Sequence, residues 1–232
     1  MIHQIIFAHA RPDWSEQQFQ DHWLNIHAVR YASRIPQIRL YKVCHRLPFS
    51  GPIPSFEPFQ GSAEIWIEND EEQLASLRSS EFIEGARADE PNWAAFWDTV
   101  FLATDTHVLI DAPERERTAG VKLYIVLKRR AGLPLATFRE YALKIHGEKV
   151  LHLPGLHRFE QCHTRDGMYA SGEWLLDAVL LLWFDRVDAI GKALSSPAFT
   201  RNVGPDFENF AEARYLRCMV AQEHWVIGPD PR

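Results

Sequence analysis

The sequence predicts an α+β fold made of two βαββαβ repeats, and two observations carry that prediction. The first is an internal duplication between residues 19–45 and 138–163. Phe19 pairs with Phe138, Ile26 with Ile145 and His27 with His146 at one constant spacing. After one residue is dropped, Pro36 pairs with Pro154, Tyr41 with Phe159, Cys44 with Cys162 and His45 with His163. Further matches follow: Trp66 with Trp183, Leu77 with Leu194, Phe82 with Phe199, and residues 107–110 with 224–227. Between them, Pro91 and Trp93 are matched with Pro205 and Phe207 at a spacing three residues shorter. The second observation is that short apolar runs and helical periodicity alternate in the same order in both copies. Such a unit makes a four-stranded antiparallel sheet with both helices on one face. Its other face is left bare and apolar and must be covered. Two copies in one chain are expected to pack sheet against sheet, face to face, with helices outside, as a pseudo-two-fold dimer within one molecule.

Each element has its own local reason. Residues 2–9 are dense in Ile and Phe and stop at Arg11-Pro12, a strand. Ser15 stands three residues before Gln18, the capping-box spacing that opens a helix. Phe19, Trp23, Ile26, His27 and Arg30 then line one helical face. Pro36 closes the connection, and residues 38–47 form a second strand. Residues 48–60 (PFSGPIPSFEPFQ) hold four prolines and three phenylalanines, an aromatic loop. A third strand covers 63–68, and a helix starts at Asp70 with acidic residues in its first turn, where the helix dipole favours them. A short helical piece over 92–99 and a strand over 102–110 complete the copy. Residues 111–119 (DAPERERTA) are polar and charged, so the chain divides into a first repeat at 1–111, a linker at 112–119 and a second repeat at 120–232. The second copy repeats the order: strand 121–128, helix 135–150, strand 156–164, the Gly-containing loop 165–174, strand 178–185, and a last strand through 224–227.

Composition removes several function classes. The net charge of −6 argues against a nucleic-acid footprint. No apolar run reaches the ~18 residues of a membrane span. The N-terminus lacks a basic region and cleavage site, so it reads as a strand, and a cytoplasmic protein is expected. Three cysteines are too few and scattered for a disulfide framework or a zinc site. No nucleophile elbow, phosphate loop or dinucleotide fingerprint is present. His22 and His27 are five residues apart, roughly 140° around an α-helix, so they do not easily share one ion. No metal is expected, and no cofactor. Haem alone stays open, since one axial histidine suffices for it.

Arg11-Pro12, Ser15, Phe19, His22-Trp23, His27-Ala28, Pro36, Tyr41 and Trp66 stand in the first copy, and Phe138, His146, Pro154-Gly155-Leu156 and Trp183 in the second. On these residues the chain resembles a tandem protein of the EthD-like dimeric α+β barrel family, with ferredoxin-like repeats. The resemblance implies an intramolecular α+β barrel. It also implies one of that fold's functions, which include decarboxylases, cyclases, isomerases, cofactor-free monooxygenases and haem proteins. The second copy departs from the pattern, with Tyr141-Ala142 for His22-Trp23 and Gly147 for Ala28. The two halves need not both be active.

His27 and His146 are the leading candidates for general acid–base work, each on the apolar face of its first helix. The plain alternative is a core histidine bonded to backbone. His45 and His163 end the second strands, where site residues often gather. His22 and Tyr41 are particular to the first copy, and Tyr41 has a hydroxyl where Phe159 has none. Trp23, Trp66, Trp183, His163 and Phe56 of the aromatic loop are candidate substrate contacts, with ligand space expected between a sheet and its own helices. The expected function is a small cofactor-independent enzyme of lyase or isomerase type acting on an apolar aromatic or polyketide-like molecule. The alternatives are a non-catalytic carrier of a hydrophobic small molecule, or a haem-dependent or cofactor-free oxygenase. The expected assembly is a monomeric pseudo-dimer or a homodimer.

Overall fold

A computed structural model describes residues 1–111 and 120–230, so the linker expected over 112–119 lies outside the described residues. The first repeat runs β1 (Ile2–Ala8), α1 (Glu16–His22), β2 (Ile38–Arg46), β3 (Gly61–Ile67), α2 (Asp70–Arg78), α3 (Arg87–Asp89) and β4 (Val100–Ile110). The second runs β5 (Val121–Leu127), α4 (Leu135–Tyr141), α5 (Gly147–Val150), β6 (Arg158–Thr164), β7 (Ala178–Phe184), α6 (Val187–Ser195), α7 (Gly204–Phe210) and β8 (Arg217–Ile227). The fold is mixed α+β with antiparallel strand pairs. Expected and observed strand ends agree to within about two residues for β1 to β7, whereas β8 begins at Arg217, seven residues before the segment 224–227 expected for it. The helical piece expected over 92–99 is instead two 3₁₀ turns, Glu90–Asn92 and Phe96–Asp98. Among the described residues no helix is long and apolar enough to cross a membrane.

The chain forms two compact units, one of residues 1–46, 57–104 and 222–232, the other of 47–56 and 105–221. The eleven-residue strands β4 and β8 each give one half to either unit. Hydrogen-bonded neighbours follow β4-β1-β3-β2-β8 in the first unit and β8-β5-β7-β6-β4 in the second.

In the first unit, the register sets Ile6 opposite Ala63 and Phe101, and Tyr41 opposite Ile65. Strand alternation therefore puts these residues on one face. Ile6, Tyr41, Ala63 and Ile65 pack with Phe19, Trp23 and Trp93 in the core under α1. Gly61 opens β3 because a Cβ there would lie 2.8 Å from the Cys44 carbonyl and 3.1 Å from the Trp23 ring. The opposite face was expected to be apolar, and it is not. It carries a buried His3–Glu64 contact at 3.3 Å and a buried ion pair, Lys42–Glu223, at 2.9 Å. The Trp66 ring stacks on His3 at 4.1 Å, and Lys42 lies 4.4 Å over the Trp225 ring. Burying the Lys42 and Glu223 charges is tolerable because each has the other as partner. In the second unit the same face holds Lys122, 4.8 Å from the Tyr124 ring and 4.9 Å from that of Trp183.

The first helix opens on the expected capping box. Ser15 Oγ accepts from the Gln18 backbone, and Gln18 Oε1 accepts from the Ser15 N–H at 2.9 Å. After His22 it continues as a π-helix over Trp23–Tyr31. The equivalent helix of the second repeat does the same over Ala142–His146. Wider winding of this kind inside helices is frequent at functional sites.

Candidate functional site

His27 sits in the π-helical stretch, and its ring packs 4.8 Å from Trp93. Its Nδ1 lies 3.1 Å from Asp89 Oδ2, at the end of α3. His22 Nε2 lies 3.1 Å from the same oxygen, and Asn92 donates to Oδ1 at 3.3 Å. The two histidines thus meet on one carboxylate, which the roughly 140° separation of an α-helix over five residues disfavours. The i→i+5 pattern of the π-helix brings residues five apart towards one face. Burial alone would raise the Asp89 carboxyl, but hydrogen bonds from His27, His22 and Asn92 outweigh it and hold the pKa at about 2. An ionised Asp89 fixes the proton of His27 on Nδ1 and leaves Nε2 as the basic atom, the orienting logic of a His–Asp pair.

His27 borders a cavity of about 90 Å³ with Trp23, Tyr41, Phe82, Glu90 and Trp93 in its walls. A second cavity of about 360 Å³ shares Ile6, Ile35, Ile65, Phe82 and Glu90 with the first. Both lie between the first unit's sheet and its helices, where ligand space was expected. The larger is within the usual range for small-molecule sites and mostly apolar. Glu90 borders both, and burial raises its pKa against the pull of Arg87 and His27. Tyr41 is fully buried, and burial pushes its pKa up despite a hydrogen bond with Trp23.

The second repeat carries the same constellation in closed form. His146 Nδ1 lies 2.9 Å from Asp206 Oδ2, Asn209 donates to Oδ1 at 2.9 Å, and the Tyr141 hydroxyl donates there at 2.8 Å. Lys149 also pairs with Asp206. Burial raises the Asp206 carboxyl, yet these donors hold it far below the ordinary carboxylate range. Phe207 and Phe210 close over the imidazole at 4.4 and 4.8 Å, and His146 Nε2 is buried with no hydrogen-bond partner. Burial lowers the His146 pKa, opposed by Asp206. Gly147 stands in place of Ala28 because a Cβ there would meet a Leu109 methyl at 2.6 Å.

Asp89 and Asp206 are the residues that sequence reasoning missed. Matching Trp93 with Phe207 placed the copies three residues out of register. The structure pairs Asp89 with Asp206, Asn92 with Asn209 and Trp93 with Phe210. The isolated bridges Ala10–Ala94 and Arg129–Ala211 keep that register. The signal was the repeated Asp-x-x-Asn-aromatic, at the spacing already seen for Phe82 and Phe199.

The other predicted residues lie elsewhere. His45 faces the His224 ring at 4.7 Å, and burial, then His224, lower its pKa to about 4. His163 lies 4.9 Å from His107 and bonds Gln161 at 3.0 Å, with its pKa lowered to about 3 by burial and then His107. Trp66 stacks on His3 on the sheet face away from the helices, and Trp183 is buried under Arg158 at 4.4 Å. The Phe56 backbone N–H donates to the Cys218 carbonyl in the second unit. None of these five borders either cavity. For metals, the donor atoms of Cys44, Glu64 and Glu223 lie within 4.8 Å of one another, but Lys42 already holds Glu223. Haem fits the two cavities poorly. The larger has no His, Cys, Met or Tyr in its wall to ligate iron, and the one bordered by His27 is far too small for a macrocycle.

The EthD domain model matches the chain twice, over residues 11–96 and 130–214. No curated protein matches it. Among solved structures, a protein from Fusobacterium nucleatum provisionally assigned as a monooxygenase is similar over 100% of this chain and 95% of its own, with TM-score 0.62 and 11% identity. An anthrone oxidase-like protein is similar over 97% and 92%, with TM-score 0.64 and 11% identity. Chlorite dismutase from Candidatus Nitrospira defluvii is similar over 95% and 90%, with TM-score 0.52 and 10% identity. At such identities the likeness is one of fold. With both of its halves matched by that domain model, the chain belongs to the EthD family.

Proposed function

We propose that the first repeat is a cofactor-independent proton-transfer site for an apolar, aromatic small molecule, with His27 as the base. The observation that carries this is His27 at the wall of an apolar cavity with Nδ1 held on Asp89 at 3.1 Å. A neutral imidazole so oriented takes a proton from an acidic C–H or phenolic O–H at Nε2. The Asp89 carboxylate on Nδ1 stabilises the imidazolium that forms, and the delocalised anion left behind has two fates. It collapses by elimination or rearrangement, or it passes electrons to dioxygen. The names borne by the Fusobacterium and anthrone oxidase-like proteins favour the oxidative fate. We also read each repeat as ferredoxin-like, on its βαββαβ element order.

The test uses anthrone, a tricyclic carbon acid, with oxygen uptake as readout, and N-phenyl-1-naphthylamine, an uncharged fluorescent naphthalene, for binding. His27→Asn should lower turnover by about 10²-fold or more while the naphthylamine still binds. His146→Asn should leave turnover within about twofold of wild type. Binding of the naphthylamine without any anthrone turnover would favour the carrier reading. Full turnover in His27→Asn would end the proposal.

A further inference from the structure

The wall of the larger cavity is uneven in polarity. Ile6, Ile38, Ile65, Ile67, Phe82 and Phe101 make an apolar interior. The charged groups in that wall are Arg87 and Glu90. Arg87 Nη1 donates to Glu90 Oε2 at 2.6 Å, and its guanidinium lies 5.7 Å over the Phe96 ring. The Arg87 side chain is 56% exposed and that of Glu90 25%, so the cation stands at the mouth and the carboxylate further in. A guanidinium offers five N–H donors in a planar fork, and among the described residues Arg87 spends one of them on protein. A pair three residues apart whose cation is more than half exposed contributes little to stability. The second repeat does without it: Gly204 and Phe207 occupy the equivalent positions, and Phe207 packs on His146. The charge pair therefore accompanies the open cavity and is replaced by packing where the site is closed.

We propose that this cavity takes an aromatic molecule bearing one anionic group, with the apolar body inside and the anion at the mouth on the free donors of Arg87. The proposal rests on the His27 cavity reading and adds the charge of the ligand. Glu90 aims the guanidinium and its negative charge disfavours a second acid deeper in the site. A sulfonate, carboxylate or phenolate at the mouth meets a fork suited to planar or bidentate oxyanions. The aromatic body then lies along the shared wall towards His27.

The experiment compares two probes of one skeleton on the full chain by fluorescence titration: 8-anilino-1-naphthalenesulfonate and the uncharged N-phenyl-1-naphthylamine. Each should displace the other. Arg87→Gln should weaken the sulfonate about tenfold and change the naphthylamine by less than twofold. Glu90→Gln should strengthen the sulfonate about threefold, and raising NaCl from about 50 to about 500 mM should weaken it alone, since a half-exposed charge is screened. If both probes bind and compete but Arg87→Gln treats them alike, the anion proposal is overturned and the cavity reading stands. If neither binds wild-type protein, the cavity reading falls and takes this proposal with it. If both bind without competing, the anion lies outside the cavity and the proposal is equally overturned.

Discussion

Asp89 accepts from His22, His27 and Asn92, so removing its charge acts first on His27. Asp89→Asn keeps the shape but offers an amide where the imidazole needs an anion, releasing the Nδ1 tautomer. Anthrone turnover should fall by about 10²-fold, with naphthylamine binding unchanged, because the residue orients the base without bordering the cavity. Turnover near wild type would show that His27 needs no orienting partner. Asp89 also links stability to acid. Its folded pKa of about 2 lies below the ordinary 3.8, so its contribution is present above pH 3.8 and is lost as pH falls through about 2. The amount is about 2 kcal/mol at neutral pH, since the side chain is only 7% exposed.

At the scale of elements, the π-helical stretch matters more than the helix that contains it. It follows His22, the last residue of α1, and contains His27, and both histidines reach Asp89. Strands add a second effect through the pairs His45–His224 and His107–His163. Burial keeps His45 and His163 neutral, with folded pKa values of about 4 and about 3 against 6.5 unfolded. Acidification therefore charges the unfolded chain first. Stability should be full above about pH 7 and decline as pH falls from 6.5 towards 4, read as the urea midpoint at successive pH values. His163→Gln should flatten that decline relative to wild type. An unchanged slope would assign the acid sensitivity to other groups.

For the whole molecule, the two repeats share a skeleton, but the first has a cavity beside His27 and the second packs Phe207 and Phe210 on His146. Asp206 has four donors and a side chain 1% exposed, so Asp206→Ala leaves several buried groups without partners. It should cost about 3 kcal/mol of unfolding free energy, measured by urea titration, with naphthylamine binding intact in the folded protein. Loss of binding there would show that the halves do not act separately. Much of this skeleton was legible in the chain: the duplication, the strand order, the Ser15 cap and the paired His27 and His146 all follow from local periodicity and repetition. Asp89 and Asp206 were legible too, hidden only by a three-residue misregister at Pro91. The meeting of His22 and His27 was not, because no residue type carries the winding: the stretch is π-helical in both repeats although Trp23 and Trp93 of the first are Ala142 and Phe210 in the second. Nor was the choice of open half. A cavity is the volume side chains fail to fill, and that depends on Phe207 closing over His146 while Glu90 stays aside from His27. Local sequence decides which elements form, and only their packing in three dimensions decides where a ligand has room beside a base.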